Sequence, residues 1–299
     1  MISIVVIVYN MRREAKRTLV SLAAEYQTGV SSKDYEIIVI DNGSPEPLDQ
    51  DSVTGLAPNF RYHYHDTTSA SPAKAVNVGI DLARGDYVAV IVDGARMATP
   101  GLVDATLRAL HLYDRPFVCA LTFHLGHDIQ NVLTENGFGT DDEDRLLDKI
   151  DWPEDGYKMF DISTIAPSSR QGFLGGMPSE CSWFAMRKAQ FLEIGGFDER
   201  FQSPGGGLVN HDFLNKVLAS GTFSQIVLLG EGVFHQMHGG VSTNVALSAH
   251  PMASFQDEYT RIHGTKYIAA KGQPVSYFGS ITPSAFRFIA KSDLSKRCE

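Results

Sequence analysis

Acidic side chains at the ends of apolar runs are the residues of this chain best placed to do chemistry. Asp41 closes the run EIIVI and is followed by Asn42, Gly43 and Ser44, and Asp93 closes YVAVIV. A carboxylate at a strand end beside a tight turn can accept hydrogen bonds from a uracil edge or a ribose hydroxyl, or it can cap its own turn. His235 and His238 stand three apart before Gly239 and Gly240. Histidines so placed can ligate a cation as well as pack. Asp212 follows His211 and the run Gly205, Gly206, Gly207. The glycines permit close backbone approach to a ring or a mobile loop, and the carboxylate can cap a helix over 213–220. Trp183 offers an aromatic face of the kind that stacks on sugars, unless it is a core residue, and Glu180 is the acid nearest to it.

The elements that must hold these residues alternate strand and helix. ISIVVIV (2–8) reads as a strand, and Ala15, Leu19, Leu22 and Ala23 recur at helical spacing after it. EIIVI (36–40) is a second strand, residues 73–84 place Val76, Ile80 and Ala83 on one helical face, and YVAVIV (87–92) is a third strand. A helix follows from about Pro100, with Val103, Leu107 and Leu110 facing inward. Apolar strands joined by amphipathic helices predict a mostly parallel sheet covered on both faces, with ligands bound beyond the carboxyl ends of the strands. That rule gathers Tyr9, Asn10, Asp41, Asn42 and Asp93 at one rim. Residues 124–175 are polar and irregular, and the acidic run DDEDRLLDKIDWPED (141–155) reads as a mobile loop over the site or as a solvated surface.

Composition narrows the partners. A chain of 299 residues with a formal net charge of −9 argues against nucleic acid as the main partner, because duplex binding needs a basic face to displace counterions, so any nucleotide partner is expected to be small. Cys119, Cys181 and Cys298 show no C-x-x-C spacing, which argues against a disulfide framework or zinc site and for a reducing, cytoplasmic setting. MISIVVIVYN is too short and uncharged for a leader and reads as a buried strand. The tail SAFRFIAKSDLSKR (284–297) fits a helix docked on its own domain or one lying on a membrane surface; peripheral membrane contact and a homodimer both stay open.

Four segments, in order and spacing, carry a family likeness: SIVVIVYN with TLVSL, EIIVIDNGS at 36–44, NVGIDLARGDYVAVIVDG at 77–94, and CSWFAMRKAQFLEIGGFDERF at 181–201. Over most of residues 1–240 the chain resembles the family 2 glycosyltransferases, which have the GT-A fold. The fold expected is therefore α/β of GT-A type, a mostly parallel central sheet with helices on both faces. The resemblance implies a Rossmann-like donor-binding half at 1–115 and an acceptor and catalytic half at 116–243; residues 244–299, beyond the likeness, are read as a C-terminal, helical annex.

The resemblance also implies roles. Val8, Tyr9, Asn10, Asp41, Lys74, Asn77, Asp93, Gly94 and Arg96 would contact the nucleotide or its phosphates, and Glu180 and Trp183 the sugar or acceptor. Asp93 matches the first acid of the family's D-x-D motif, but Ala95 and Arg96 stand where further acids are usual. Either Asp93 holds Mn²⁺ or Mg²⁺ with His235 or His238, or Arg96 meets the phosphates directly. In the family's E-D-x-D-L stretch, register on Gly221 leaves Val209 and Asn210 at the first acid pair and aligns Asp212 with the later acid; a register on His211 and Asp212 needs a two-residue deletion. Under both, Asp212 is the acid available as base, with His211 beside it.

The function implied is an inverting, hexosyltransferase-type glycosyltransferase of polysaccharide or glycan biosynthesis, moving a sugar from a nucleotide donor, UDP by family default, to a glycan, lipid-linked or small-molecule hydroxyl acceptor. Two other classes compete. One is a degenerate protein that binds sugar nucleotide or glycan without turnover. The other is a nucleotidyltransferase, disfavoured because VIVYNMRREA lacks a Gly-rich phosphate loop.

Overall fold

The computed structural model describes residues 1–270 and 274–289. The first third holds the expected strands and helices and adds a short helix at 50–54 and a strand at 60–64 that the sequence pattern did not mark. β1 (Ile2–Val8) leads through α1 (Arg12–Leu22) to β2 (Tyr35–Asp41), α2 (Gln50–Thr54) and β3 (Phe60–Tyr64), and then to α3 (Ala73–Leu82) and β4 (Tyr87–Ile91). β1 pairs in parallel with β2, Val8 opposite Asp41, and with β4, Val6 opposite Ile91. The carboxyl ends of the three strands thus lie side by side. Continuous apolar runs suit this arrangement because each strand is buried on both faces. Val5 and Ile7 of β1 pack with Val76 and Ile80 of α3, while Ile4 and Val6 face Leu19 of α1 and Val103 of the helix that follows.

The second half extends the same sheet. β5 (Arg96–Ala98), α4 (Leu102–Leu110), β6 (Pro116–Leu125), α5 (Gln130–Glu135), α6 (Thr140–Ile150), β7 (Ser163–Ile165), β8 (Trp183–Arg187), α7 (Lys188–Glu193), α8 (Val209–Ser220), β9 (Ser224–His235), α9 (Met252–His263) and β10 (Val275–Gly279) complete the described elements. The strand order is β10-β9-β6-β8-β4-β1-β2-β3, with β8 antiparallel to both its neighbours and the other strands on that path running one way. β5 is an antiparallel annex of β9 that sets Arg96 opposite His235.

Two expectations are corrected here. The acidic run at 141–155 is neither a mobile loop nor simply a solvated face: its first part forms α6 and clamps α1. Arg13 reaches Glu143 (3.2 Å) and Asp144, and Arg17 reaches Asp144 (2.5 Å). Glu143 is fully buried and accepts the Met237 N–H at 2.7 Å. A charge run cannot be told from a solvated one until its partners, more than a hundred residues away, are known. The segment 244–299, expected as a helical annex, supplies one helix and also β10, which adds to the main sheet beside β9. A 3₁₀ turn, Pro283–Phe288, inserts Phe288 against Phe123 (ring centroids 4.8 Å apart), so this part of the tail docks on its own domain, while positions 290–297 lie outside the described residues. No helix among the described residues is long and apolar enough to cross a membrane.

One buried acid makes a stability prediction. Glu231 on β9 is 8% exposed, takes hydrogen bonds from Thr99 Oγ1 (2.5 Å) and Tyr157 OH (2.8 Å), and burial pushes its pKa up to about 7. Because the folded value lies above the unfolded one, the associated stability is present below the ordinary carboxylate range and is lost as pH rises through about 7. Denaturant melts of Glu231→Gln from pH 4 to 8 are expected to lack one proton's worth of this slope, about 3 kcal/mol. An unchanged slope would mean that Glu231 folds ionised.

Candidate active site

A cavity of about 390 Å³ opens past the carboxyl edge of the sheet. Such an edge is where α/β sheets bind ligands, because loops there can converge without disturbing the strands. The ends of β1, β2 and β4 bring Tyr9, Asn10, Asn42 and Asp93 to its wall, and the head of β5 brings Arg96. Thr122 and His124 project from β6, Glu180 precedes β8, Asn210 and His211 open α8, and His235 and His238 close β9 and the turn after it. Gly94 is needed for this convergence: its N–H bonds Ile7 O at 2.7 Å, and a Cβ would lie 2.8 Å from Val8 Cγ2.

The centre of the site is a cluster of electron-pair donors. Asp93 Oδ2 lies 2.9 Å from His235 Nε2 and 3.5 Å from His238 Nε2, and the two ring nitrogens are 3.1 Å apart. Asp93 Oδ1 is held by the Ala95 N–H at 2.9 Å, which aims the other oxygen at the histidines. Burial alone would raise the Asp93 pKa, but His238, His235 and Arg96 outweigh it and hold the carboxyl well below its usual range. His235 is pushed down to about 4 by burial and by Arg96, so it is neutral at pH 7. Burial opposes charge on His238 too, yet Asp93 outweighs it and the pKa is raised. A neutral His235 and an ionised Asp93 both present lone pairs to one point, which calls for a proton on His238 or a cation between them. One carboxylate oxygen and two imidazole nitrogens, all within 4.8 Å of one another, fit a divalent first-row ion.

Arg96 adds a second source of positive charge. Its Nη2 lies 3.4 Å from Asp93 Oδ2, and its Nε and Nη1 are buried without a hydrogen-bond partner among the described residues. Orphaned guanidinium donors on a cavity wall suit an anion that can take two of them. The two alternatives of the sequence analysis, a cation on Asp93 and direct contact by Arg96, therefore occupy one place. Glu180 is the other acid that lines the cavity among the described residues. Its Oε1 accepts from Asn210 Nδ2 at 3.0 Å, and its Oε2 lies 3.9 Å from His211 Nε2. Burial would raise its pKa, but His211 and Arg96 outweigh that and keep it lowered, so it is ionised at neutral pH.

Several expected contacts do not reach the cavity. Asp212 faces away from it, with its carboxylate between Lys216 Nζ (3.1 Å) and His263 Nε2 (3.1 Å), because it lies nearly opposite the cavity-lining Asn210 on α8. Asp41 is fully buried and spends its oxygens on Ser44 N, Leu48 N and Tyr62 OH, so its neighbour Asn42 lines the cavity instead. Asn77 ties α3 to the loop at Phe197 and Glu199. Lys74 is exposed outside the cavity, and Val8 is buried in the sheet. Trp183 is fully buried on the α4 face, with its ring nitrogen donating to Thr106 Oγ1 at 3.1 Å, which makes it a core residue rather than a sugar platform. His124 and Asn210 were not among the expected contacts. For His124 a signal existed: Thr122 and His124 are polar at alternate positions of the otherwise apolar PFVCALTFHL, and period two puts them on one face of the strand.

The mostly parallel sheet, covered by helices and opening on a cavity past its carboxyl edge, has the GT-A fold. The profile of Glycosyl transferase family 2 matches residues 3–93, the stretch from β1 to Asp93. No curated protein matches the chain by sequence. Among solved structures, TarS of S. aureus superposes with a TM-score of 0.54 at 14% identity, over 79% of this chain and 36% of that one. TarS 1–349 in complex with UDP-GlcNAc gives 0.48 at 13% identity, over 72% and 52%. The mannosyltransferase PcManGT from Pyrobaculum calidifontis, in complex with GDP-Man and Mn²⁺, gives 0.46 at 14%, over 74% and 52%. The chain spans between about a third and just over half of the length of these proteins, and the likeness is one of fold.

Proposed function

We propose that the chain transfers a sugar from a nucleoside diphosphate donor, UDP in the first instance, to a hydroxyl acceptor with inversion. The observation that carries this reading is the convergence of Asp93, His235 and His238 beside the unpaired donors of Arg96, on the sheet edge of a family 2 segment. Asp93, His235 and His238 would hold the cation, and two imidazoles favour Mn²⁺ over the oxygen-seeking Mg²⁺. A bound divalent ion supplies charge neutralisation for the departing diphosphate. Arg96 binds the same phosphates through its free N–H groups, and Tyr9, Asn10 and Asn42 line the part of the cavity nearest the family 2 strands, where the nucleoside fits.

Glu180, rather than Asp212, takes the proton. As the acceptor oxygen attacks the anomeric carbon, the bond from that carbon to the phosphate oxygen breaks, the nucleoside diphosphate leaves, and the acceptor's hydroxyl proton passes to the Glu180 carboxylate. Among the described residues, Asp93 and Glu180 are the acids lining the cavity. With Asp93 committed to the cation, neither remains to form a glycosyl-enzyme, which favours a single inverting displacement. The Gly221 register supports the same assignment: Asn210 stands at the family's acid position, faces the cavity and donates to Glu180, so the carboxylate enters from the neighbouring loop instead.

Binding without turnover is the competing reading, and Asn210 at an acid position is the observation in its favour. Calorimetric titration with UDP, GDP and dTDP, in Mn²⁺ and then in EDTA, tests the donor site. One nucleotide bound tightly and only with Mn²⁺ is expected. No binding to any of them would overturn the proposal, and binding without donor hydrolysis or transfer would favour the competitor.

A further inference from the structure

Gln130, at the first turn of α5, touches two histidines of the cavity wall and meets them with opposite chemistry. Its main-chain N–H donates to His124 Nδ1 at 3.0 Å. That ring therefore carries its proton on Nε2, and His124 opens on the cavity. The Gln130 side-chain Oε1 lies 2.5 Å from His235 Nδ1. A carbonyl oxygen only accepts, so His235 carries its proton on Nδ1 and turns the lone pair of Nε2 toward Asp93 and His238. The amide cannot turn round without loss: its Nε2 donates to His235 O at 2.8 Å, and its Oε1 takes a second hydrogen bond from Asn244 Nδ2 at 3.2 Å. Asn244 Oδ1 in turn accepts the N–H groups of His238, Gly239 and Gly240 at 3.0, 3.0 and 3.1 Å, so the same network shapes the loop that carries His238.

We propose that Gln130 is a positioning residue that sets two cavity histidines in opposite tautomers, making His235 Nε2 a cation ligand and His124 Nε2–H a hydrogen-bond donor to the ligand. Gln130 is fully buried and touches neither cation nor substrate in this arrangement. It acts as the outer partners of metal-binding histidines do: holding the distal N–H orients the ring and raises the basicity of the ligating nitrogen. His124, missed as a site residue, becomes a neutral donor beside Arg96, suited to a phosphate oxygen or a sugar hydroxyl. The ligand half of the proposal rests on the cation centre of the proposed function; the tautomers themselves do not.

The test uses the full chain with ¹⁵N-labelled histidine, free of metal, and reads tautomers from two-bond nitrogen–proton correlations before calorimetric titration with Mn²⁺. Wild type is expected to show His235 protonated on Nδ1 and His124 on Nε2. Gln130→Met removes the side-chain acceptor, so His235 should lose its fixed tautomer while His124, held by a main-chain N–H, keeps its own; Mn²⁺ affinity should fall by about 10–100-fold. Gln130→Glu keeps an acceptor and loses the bond to His235 O, and should restore both the tautomer and most of the affinity. If Gln130 only packs, the two variants lose affinity alike with no tautomer change, and the proposal fails; it fails equally if wild-type His235 is protonated on Nε2. A wild type with the expected tautomers that binds no Mn²⁺ would overturn the cation centre and the ligand half, leaving the tautomer assignment standing.

Discussion

An Asp93→Ala chain is expected to bind UDP no better in Mn²⁺ than in EDTA, and to lose sugar transfer by about 10³-fold or more. Asp93 supplies the single oxygen of the cation cluster. Without it, His235 and His238 remain 3.1 Å apart beside Arg96, whose buried guanidinium has lost its counter-charge and repels a cation. Loss of a Lewis acid from the leaving group removes several kcal/mol of transition-state stabilisation, and each 1.36 kcal/mol is tenfold, which gives a factor of about that size. Asp93→Asn separates charge from shape: its side-chain oxygen can still accept the Ala95 N–H, but it lacks the negative charge that holds the ion. It should resemble the Ala variant. Mn²⁺ that still tightens UDP binding to either variant would move the cation elsewhere.

Glu180→Gln is expected to lower kcat by about 10²–10⁴-fold with donor affinity nearly unchanged, because a proton acceptor is needed in the transition state and not for donor binding. Asp212→Asn is the counterpart. Its carboxylate lies between Lys216 and His263 and outside the cavity, so the substitution should cost stability, about 1–3 kcal/mol, with kcat lowered little. Both expectations can be read from one pair of variants by transfer assays beside denaturant melts. A kcat collapse in Asp212→Asn with Glu180→Gln active would reverse the assignment and require α8 to rotate on binding substrate.

The misplaced acid shows how far the site was legible. The sequence pattern put Asp212 at the cap of a helix over 213–220, whereas α8 begins four residues earlier, at Val209, and carries Asp212 inside its first turn; both registers left Asp212 as the acid on hand. What could not be read was which face of the helix meets the cavity. Residues two apart on a helix point about 200° apart, so a cavity lined by Asn210 turns Asp212 toward α9, where His263 meets it. Of the two readings of Trp183 the core one holds, for the same kind of reason in a strand, where successive side chains alternate faces: Phe184 joins the core under α3, and Trp183 the core under α4.

By itself the sequence determined β1, α1, β2, α3 and β4 of the first third, though not α2 and β3 between them, the rim at which Asp93 stands, and the presence of a histidine pair late in the chain. These are local matters of period and punctuation, because a buried parallel strand must be a continuous apolar run and a crossover helix must be amphipathic. Only the tertiary structure decided the rest. The antiparallel annex β5 on β9 brings His235 to Asp93 across 142 residues of chain, and Gln130 and Arg96 join them from two further elements. That convergence depends on strand order and on which face each element turns inward, both set by packing among segments far apart in sequence, and no local pattern records it.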